Sequence, residues 1–487
     1  MADEGSDRFE NSVFKSIRWN LILSFAGQLA NIGITLILSR LLNPDDFGML
    51  AAALALVVLI EVFGSLSSAS ALTQRQNPSD QFYSAVLVVT GCSALLMMLI
   101  IWCLSPYLAN FYQRPDLAKV FFLLSLSIPF QFLETFPLSE LQRRLAFDKI
   151  AFTSFFGIVL AGGISLYMAA EGYGWMALVV RLFLLQAIRT VWFCMIAWPK
   201  FAFKPRLQEM RDLLHFGVPQ SLAQFMLVFG RRIDDILIGK WMGTSVLGIY
   251  SLAYSLYMWP VSNIKGRISQ VIFAAMSKVQ TDAAAMGSYY LKTVSLTTLI
   301  GFPVIIGFAS VCDLAVPVIM GEKWISAVPV LRILGIASLF EICVFPGAIY
   351  QATARTRTYL KMTLITRIVA VAGILVGLNF GLQGVSFSIV ASSFASFFIY
   401  NYFINKLIPV TNLDVFKVMG KSSISSMVML AAILAFRLLS GNHFSAVSEL
   451  TVSLLVGITT YGILILKFHP EVLGKNRFST MLNSGPH

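Results

Sequence analysis

Between Gly230 and Lys240 an otherwise apolar stretch carries Arg231, Arg232, Asp234 and Asp235. On a helix Arg231 lies three and four residues from the two aspartates, and Arg232 lies three from Asp235. Such spacings bring opposite charges within reach on one face. Two kinds of chemistry suit the set. Paired among themselves, the four form an ion-pair ladder that seats or bends the helix. Facing water, a guanidinium stays charged, offers a planar fork of donors, and can exchange its carboxylate for a phosphate or an acidic sugar. Arg181, Arg189 and Arg332 also fall inside apolar stretches and add to the same positive field. Together they predict a cationic cavity.

The acidic groups at comparable depth are Glu61, Glu134 and Glu341, read either as partners of these arginines or as proton or cation sites of a coupled transporter. Gln28 and Asn31, three residues apart on the first helix, suit hydrogen bonds to sugar hydroxyls or polar contacts between helices. Arg437 lies near a helix end, where its long side chain can reach the interface. The four histidines are scattered, and the five cysteines lie in helical stretches with no CxxC pair, so neither a metal site nor a disulfide is expected. Neither a phosphate-binding GxxxxGK[ST] loop nor a GxSxG or HExxH motif is present. We therefore expect no catalytic residues and no cofactor, and work done within the membrane.

The elements that must position these residues follow from composition. The chain has 487 residues, 57% hydrophobic and only 12% charged, with mean hydropathy +0.77. That much apolar surface belongs in a bilayer. The net charge of +12 resides largely in short loops, as anionic lipid favours, and does not signal nucleic acid. Stretches of membrane length predict an all-α integral membrane protein with about fourteen transmembrane helices, near 18–41, 46–69, 83–105, 118–139, 150–170, 174–198, 213–241, 245–270, 288–312, 326–352, 359–380, 383–406, 420–440 and 448–468. The first of these is read as a membrane helix, not a cleaved signal peptide. In the connecting segments and at the ends, 24 lysines and arginines fall on the side of the N-terminus and five on the other. This bias predicts both termini in the cytoplasm.

The chain repeats itself. The segment from Ser39 to Leu50 aligns 200 residues ahead with Gly239 to Tyr250, pairing Arg40 with Lys240 and Gly48 with Gly248. Further on the offset becomes 209, pairing Pro137 with Pro346, Gln142 with Gln351 and Gly172 with Gly381. Two pseudo-symmetric six-helix lobes are implied, related by an axis along the membrane normal. The expected division is an N-terminal lobe (1–198), a cytoplasmic linker (199–212), a C-terminal lobe (213–406), two extra transmembrane helices (407–470) and a cytoplasmic tail (471–487). In the linker Leu207, Met210, Leu213 and Leu214 share one face of a short interfacial helix opened by Pro205.

Several motifs resemble the polysaccharide transport family of lipopolysaccharide and exopolysaccharide exporters, the colanic acid exporter type in particular. They are Ser39-Arg40-Leu-Leu-Asn-Pro44-Asp-Asp-Phe47-Gly48, Glu140-Leu-Gln142-Arg143-Arg144-Leu-Ala-Phe147, Asp234-Asp235-Ile-Leu-Ile-Gly239, and Gly321-Glu322-Lys-Trp324 through Pro329 to Arg332. The resemblance implies the fold of the multidrug/oligosaccharidyl-lipid/polysaccharide flippase superfamily. It also implies a flippase in the bacterial inner membrane for polyprenyl-pyrophosphate-linked oligosaccharide. Membrane lipids and polysaccharide polymerase machinery are the further partners it suggests. By analogy with flippases of the peptidoglycan precursor, the two C-terminal helices would form a groove for the lipid tail. The competing expectations are a cation-coupled multidrug exporter of the same fold and, in another class, a membrane-embedded polymerase or ligase.

Overall fold

The computed structural model describes residues 2–65, 79–198, 206–441 and 444–468, of which 2–18, 65, 216, 223, 267 and 270 are described by backbone alone. The expected cytoplasmic tail, the first half of the linker with Pro205, and the end of the second span lie outside these residues. The chain forms two compact units, Met1–Gly248 and Ile249–His487.

The first unit contains α1 (Ala2–Leu41), α2 (Pro44–Ser65), α3 (Asp80–Phe111), α4 (Leu117–Ser125), α5 (Ser127–Arg143), α6 (Phe147–Ala170), α7 (Trp175–Ile196) and α8 (Leu207–Met242). Pro44 ends α1, because the residue before proline resists helical geometry, and then opens α2, where its missing N–H costs nothing. Asp45 and Asp46 complete that first turn and favour the positive end of the helix. α1 lies along α6. There Gly162 leaves room for the Ile34 side chain, which a Cβ would displace. α4, α5 and α6 all pack on α7, and α8 packs on α2 and α3.

The second unit takes in most of α9 (Thr244–Lys278), then α10 (Ala283–Ile319), α11 (Ala327–Glu341), α12 (Pro346–Ala352), α13 (Thr356–Gly377), α14 (Gly381–Ile404), α15 (Asn412–Ser440) and α16 (Ala446–Phe468). Its core gathers Tyr290, Phe302, Phe345, Tyr350 and Phe397. α15 and α16 pack on α10 through Val311, Met429, Ile433 and Tyr461, and the Tyr461 hydroxyl donates to Leu299 O at 2.7 Å.

The repeat is visible in the backbone. Leu145 and Ala354, 209 residues apart, are both left-handed at φ 54°. Each follows a helix with the same 6→1 closure, Ala146 N to Leu141 O at 3.0 Å and Arg355 N to Tyr350 O at 2.9 Å. This is the Schellman turn with a non-glycine residue in the left-handed position. Gly172 and Gly381 likewise share a positive φ at the paired positions.

Three expectations need correction. The single helix expected over 118–139 is two, α4 and α5, and that over 326–352 is α11 and α12, divided before Pro346. The linker helix is not separate, since α8 runs unbroken from Leu207 to Met242. Of its apolar face, Leu213 and Met210 pack against Phe82, Tyr83, Val86 and Phe136, and Leu207 and Leu214 are exposed. Among the described residues, twelve helical runs are long and apolar enough to cross a membrane, one of which, Thr356–Ile404, holds both α13 and α14. With that run divided, the structure supports thirteen such helices against the fourteen expected. The remaining helix is α9, which carries Asn263, Lys265 and Arg267.

Candidate functional site

Of the residues singled out in α8, Arg232 and Asp235 form an ion pair. Arg232 Nη1 lies 3.2 Å from Asp235 Oδ2, with Asp235 buried and Arg232 partly exposed. Val228, Arg232, Asp235 and Gly239 recur at helical spacing, and this stripe is the one seated on the neighbouring helices. Val228 and Ile236 pack with Ala55 and Leu59 of α2, and a Cβ on Gly239 would meet the Tyr112 ring at 2.8 Å. Arg231, about 100° around the helix, is exposed and has no ion pair among the described residues. The Arg232–Asp235 pair thus stands beside one exposed arginine.

Elsewhere in the first unit, Arg181 of α7 is buried and donates to Asn31 Oδ1 at 2.6 Å and Thr35 Oγ1 at 3.2 Å. Asn31 therefore serves as a tie between α1 and α7. Gln28, one turn earlier, is half-buried. Arg189 Nη2 meets Glu134 Oε1 at 2.5 Å, and Gln186 also donates to that carboxylate. Glu134 is 4% exposed, so the arginine and glutamine replace the water it has lost. Glu61 of α2 is half-buried and shows no hydrogen bond or ion pair among the described residues.

In the second unit Arg332 Nη2 pairs with Asp313 Oδ1 at 3.1 Å. The other oxygen of Asp313 takes Arg437 Nη2 at 2.7 Å, and Arg437 Nε reaches Glu449 at 3.1 Å. Arg437 clamps α15 and α16 onto α10. Asp313 was missed because the expected span ends at 312, whereas α10 continues to Ile319. Glu341 Oε1 accepts from Ser393 Oγ at 3.2 Å, and its backbone oxygen accepts from Lys265 Nζ at 2.7 Å. Lys265, counted with a loop, lies inside α9 and over the Phe345 ring at 5.5 Å. Of the cysteines, Cys312 and Cys343 are buried, and Cys92 and Cys103 are exposed.

A further cluster joins the starts of α2 and α9 to the ends of α3 and α8. Asp45 pairs with Arg114 and accepts from Thr244 Oγ1 at 2.5 Å. Lys240 Nζ donates to Phe111 O at 2.5 Å. Beneath them the backbones touch: a Cβ on Gly48 would fall on the Thr244 carbonyl, and one on Gly248 on the Pro44 carbonyl. Because Pro44 and Thr244 are themselves repeat partners, the contact is self-complementary, as at an isologous interface. The paired glycines were the signal in the sequence, read there only as a mark of repetition.

Among the described residues, long apolar helices in repeated order with charged groups held inside them define a multi-pass membrane protein. Residues 37–329 match the family described as polysaccharide biosynthesis protein, and the chain belongs to that family. It is 26% identical over 480 residues to the teichuronic acid biosynthesis protein TuaB of Bacillus subtilis (strain 168), covering 95% of this chain and 97% of the relative. Over 329 residues it is 26% identical to the succinoglycan biosynthesis transport protein ExoT of Rhizobium meliloti (strain 1021), covering 67% and 66%. The fold is that of the lipid II flippase MurJ in an inward closed conformation, with TM-score 0.77 and 16% identity over 93% of this chain and 100% of that one.

Proposed function

We propose that the protein is a flippase that carries polyprenyl-pyrophosphate-linked oligosaccharide repeat units across the bacterial cytoplasmic membrane for surface polysaccharide synthesis. The observation that carries this reading is Arg231, an exposed guanidinium on a bilayer-length helix, fixed beside the ion pair of Arg232 with the buried Asp235. A group so placed offers free donors to a pyrophosphate or uronic acid, while the prenyl tail remains in lipid. Family membership and the relatives named for polysaccharide biosynthesis and transport support the substrate class. The repeated lobes rock about the carried headgroup, with both termini in the cytoplasm. α15 and α16 guide the lipid tail, and polysaccharide polymerase machinery receives the product.

Among the three carboxylates, coupling falls to Glu61. Glu134 is held by Arg189 and Gln186, and Glu341 by Ser393, whereas Glu61 retains its capacity to take up a cation or proton. In vesicles reconstituted with the purified protein, labelled lipid-linked oligosaccharide is expected to exchange between leaflets, and Glu61→Gln to remove the dependence on an imposed ion gradient. Drug movement without lipid exchange would favour a multidrug exporter. A wild-type-like response to the gradient in Glu61→Gln would take coupling away from Glu61.

A further inference from the structure

The second unit carries a groove of about 520 Å³ that the transport reading does not use. α10 supplies Gly287, Ser288, Leu291 and Ser295, and the connection from α14 to α15 supplies Pro409 and Val410. The groove follows α10 from Ala284 to Ser295, roughly 16 Å at the helical rise. Small residues make its floor: a Cβ on Gly287 would stand 3.0 Å from Val410 Cγ2, so any larger side chain there would fill it. Its walls are mainly apolar, and Lys292 opens onto it.

The depth of that lysine follows from the packing. α10 and α15 pack together, with Thr298 Oγ1 and Ser422 Oγ 3.5 Å apart. α10 and α15 are the ninth and thirteenth expected spans, so they run in the same direction. Lys292 precedes Thr298 by six residues and Lys417 precedes Ser422 by five, which sets the two ammonium-bearing residues at one level. Lys421 lies one turn further along α15. All three are exposed. Tyr289, partly exposed, stands at the same level on α10, where aromatic residues mark the membrane interface. The nearby carboxylates are already engaged. Asp282 accepts from Ala284 N and Ala285 N at 2.9 and 3.0 Å, and Asp414 accepts from Thr411 N at 3.0 Å and Thr411 Oγ1 at 2.7 Å.

We propose that this groove is a binding site for one anionic phospholipid of the cytoplasmic leaflet, its acyl chain along Ser288, Leu291 and Ser295 and its phosphate at Lys292 and Lys417. The leaflet assignment rests on the proposed cytoplasmic placement of both termini; the site itself does not. An apolar slot with Lys292 at its edge and Lys417 at the same level on the neighbouring helix complements a lipid that carries a negative head on an apolar chain. A resident lipid there would brace the start of α15 against α10, next to the capping box of Thr411 and Asp414.

The test uses the full-length protein purified in detergent, with lipid retention read by native mass spectrometry and by phosphorus analysis. Phosphatidylglycerol is expected to be retained and to raise the thermal midpoint, whereas phosphatidylcholine does neither. Ser288→Phe, which fills the groove from an exposed position, is expected to abolish both effects, and Ser288→Ala to preserve them. Lys292→Gln is expected to reduce the preference for phosphatidylglycerol about fivefold, the worth of one lysine at an anionic surface. Equal retention by Ser288→Phe and the parent protein would overturn the site. Displacement of the phosphatidylglycerol by stoichiometric polyprenyl phosphate would overturn the choice of ligand, assigning the groove to the substrate. None of these readouts depends on transport, so the site can be tested even in a protein that is inactive in vesicles.

Discussion

A valine at Gly48 or Gly248 is expected to abolish polysaccharide export while leaving the protein in the membrane. At both positions the neighbour that a side chain would strike is backbone, the Thr244 carbonyl in one case and the Pro44 carbonyl in the other. Backbone cannot rotate aside as a side chain can, so α2 and α9 must part at this end. Their parting breaks the hydrogen bond from Thr244 to Asp45 and draws Asp45 from Arg114. In the proposed cycle this end must close once per turnover. The variants should therefore remain open there. Leu247, fully buried beside the contact, reports on it: in a cysteine-free background, Leu247→Cys should be slow to react with an impermeant thiol reagent and become fast when Gly48→Val is added. Wild-type export by both valine variants would remove the contact from the mechanism.

The two α8 arginines are expected to fail in different ways. Arg231→Ala should lose export with little change in stability, because the side chain is exposed and makes no ion pair among the described residues. Arg231→Lys should recover only part of the activity, since an ammonium cannot reproduce the planar fork. Arg232→Ala should lose export and also destabilise the protein, by about 1–3 kcal/mol, because it strips a buried carboxylate of its partner. The double change Arg232→Ala with Asp235→Ala should recover much of the stability. Export assays paired with thermal midpoints separate the two roles. Full export by Arg231→Ala would leave α8 with a structural ion pair alone.

Much of this architecture is written in helical spacing and loop charge. The Arg232–Asp235 pair is an i,i+3 contact within one helix, so local periodicity was enough to find it. The same periodicity identified Met210 and Leu213 as a packed face, yet it could not tell that Leu207 and Leu214 would be left exposed, which depends on where α3 and α5 lie. Contacts between helices were harder. The link from Glu134 to Arg189 spans 55 residues, and that from Asp313 to Arg437 spans 124. Composition supplied the charges, and only the fold supplied the pairings. Lys265 illustrates the opposite error. A lysine near the end of an apolar run looks like a loop residue under a positive-inside count, yet α9 continues past it to Lys278. Arg181, Arg189 and Arg332 each have hydrogen-bond or ion-pair partners inside their own unit, which leaves Arg231 as the strongest candidate for a substrate anion.

The most direct measurement is the sidedness of lipid-linked oligosaccharide in cells depleted of this protein, read with a label that reaches only the outer face. The flippase account predicts accumulation on the cytoplasmic face, shielded from the label, together with loss of surface polysaccharide and recovery of both on re-expression. Accumulation on the outer face would contradict it, placing the defect after translocation, where a polymerase or ligase acts.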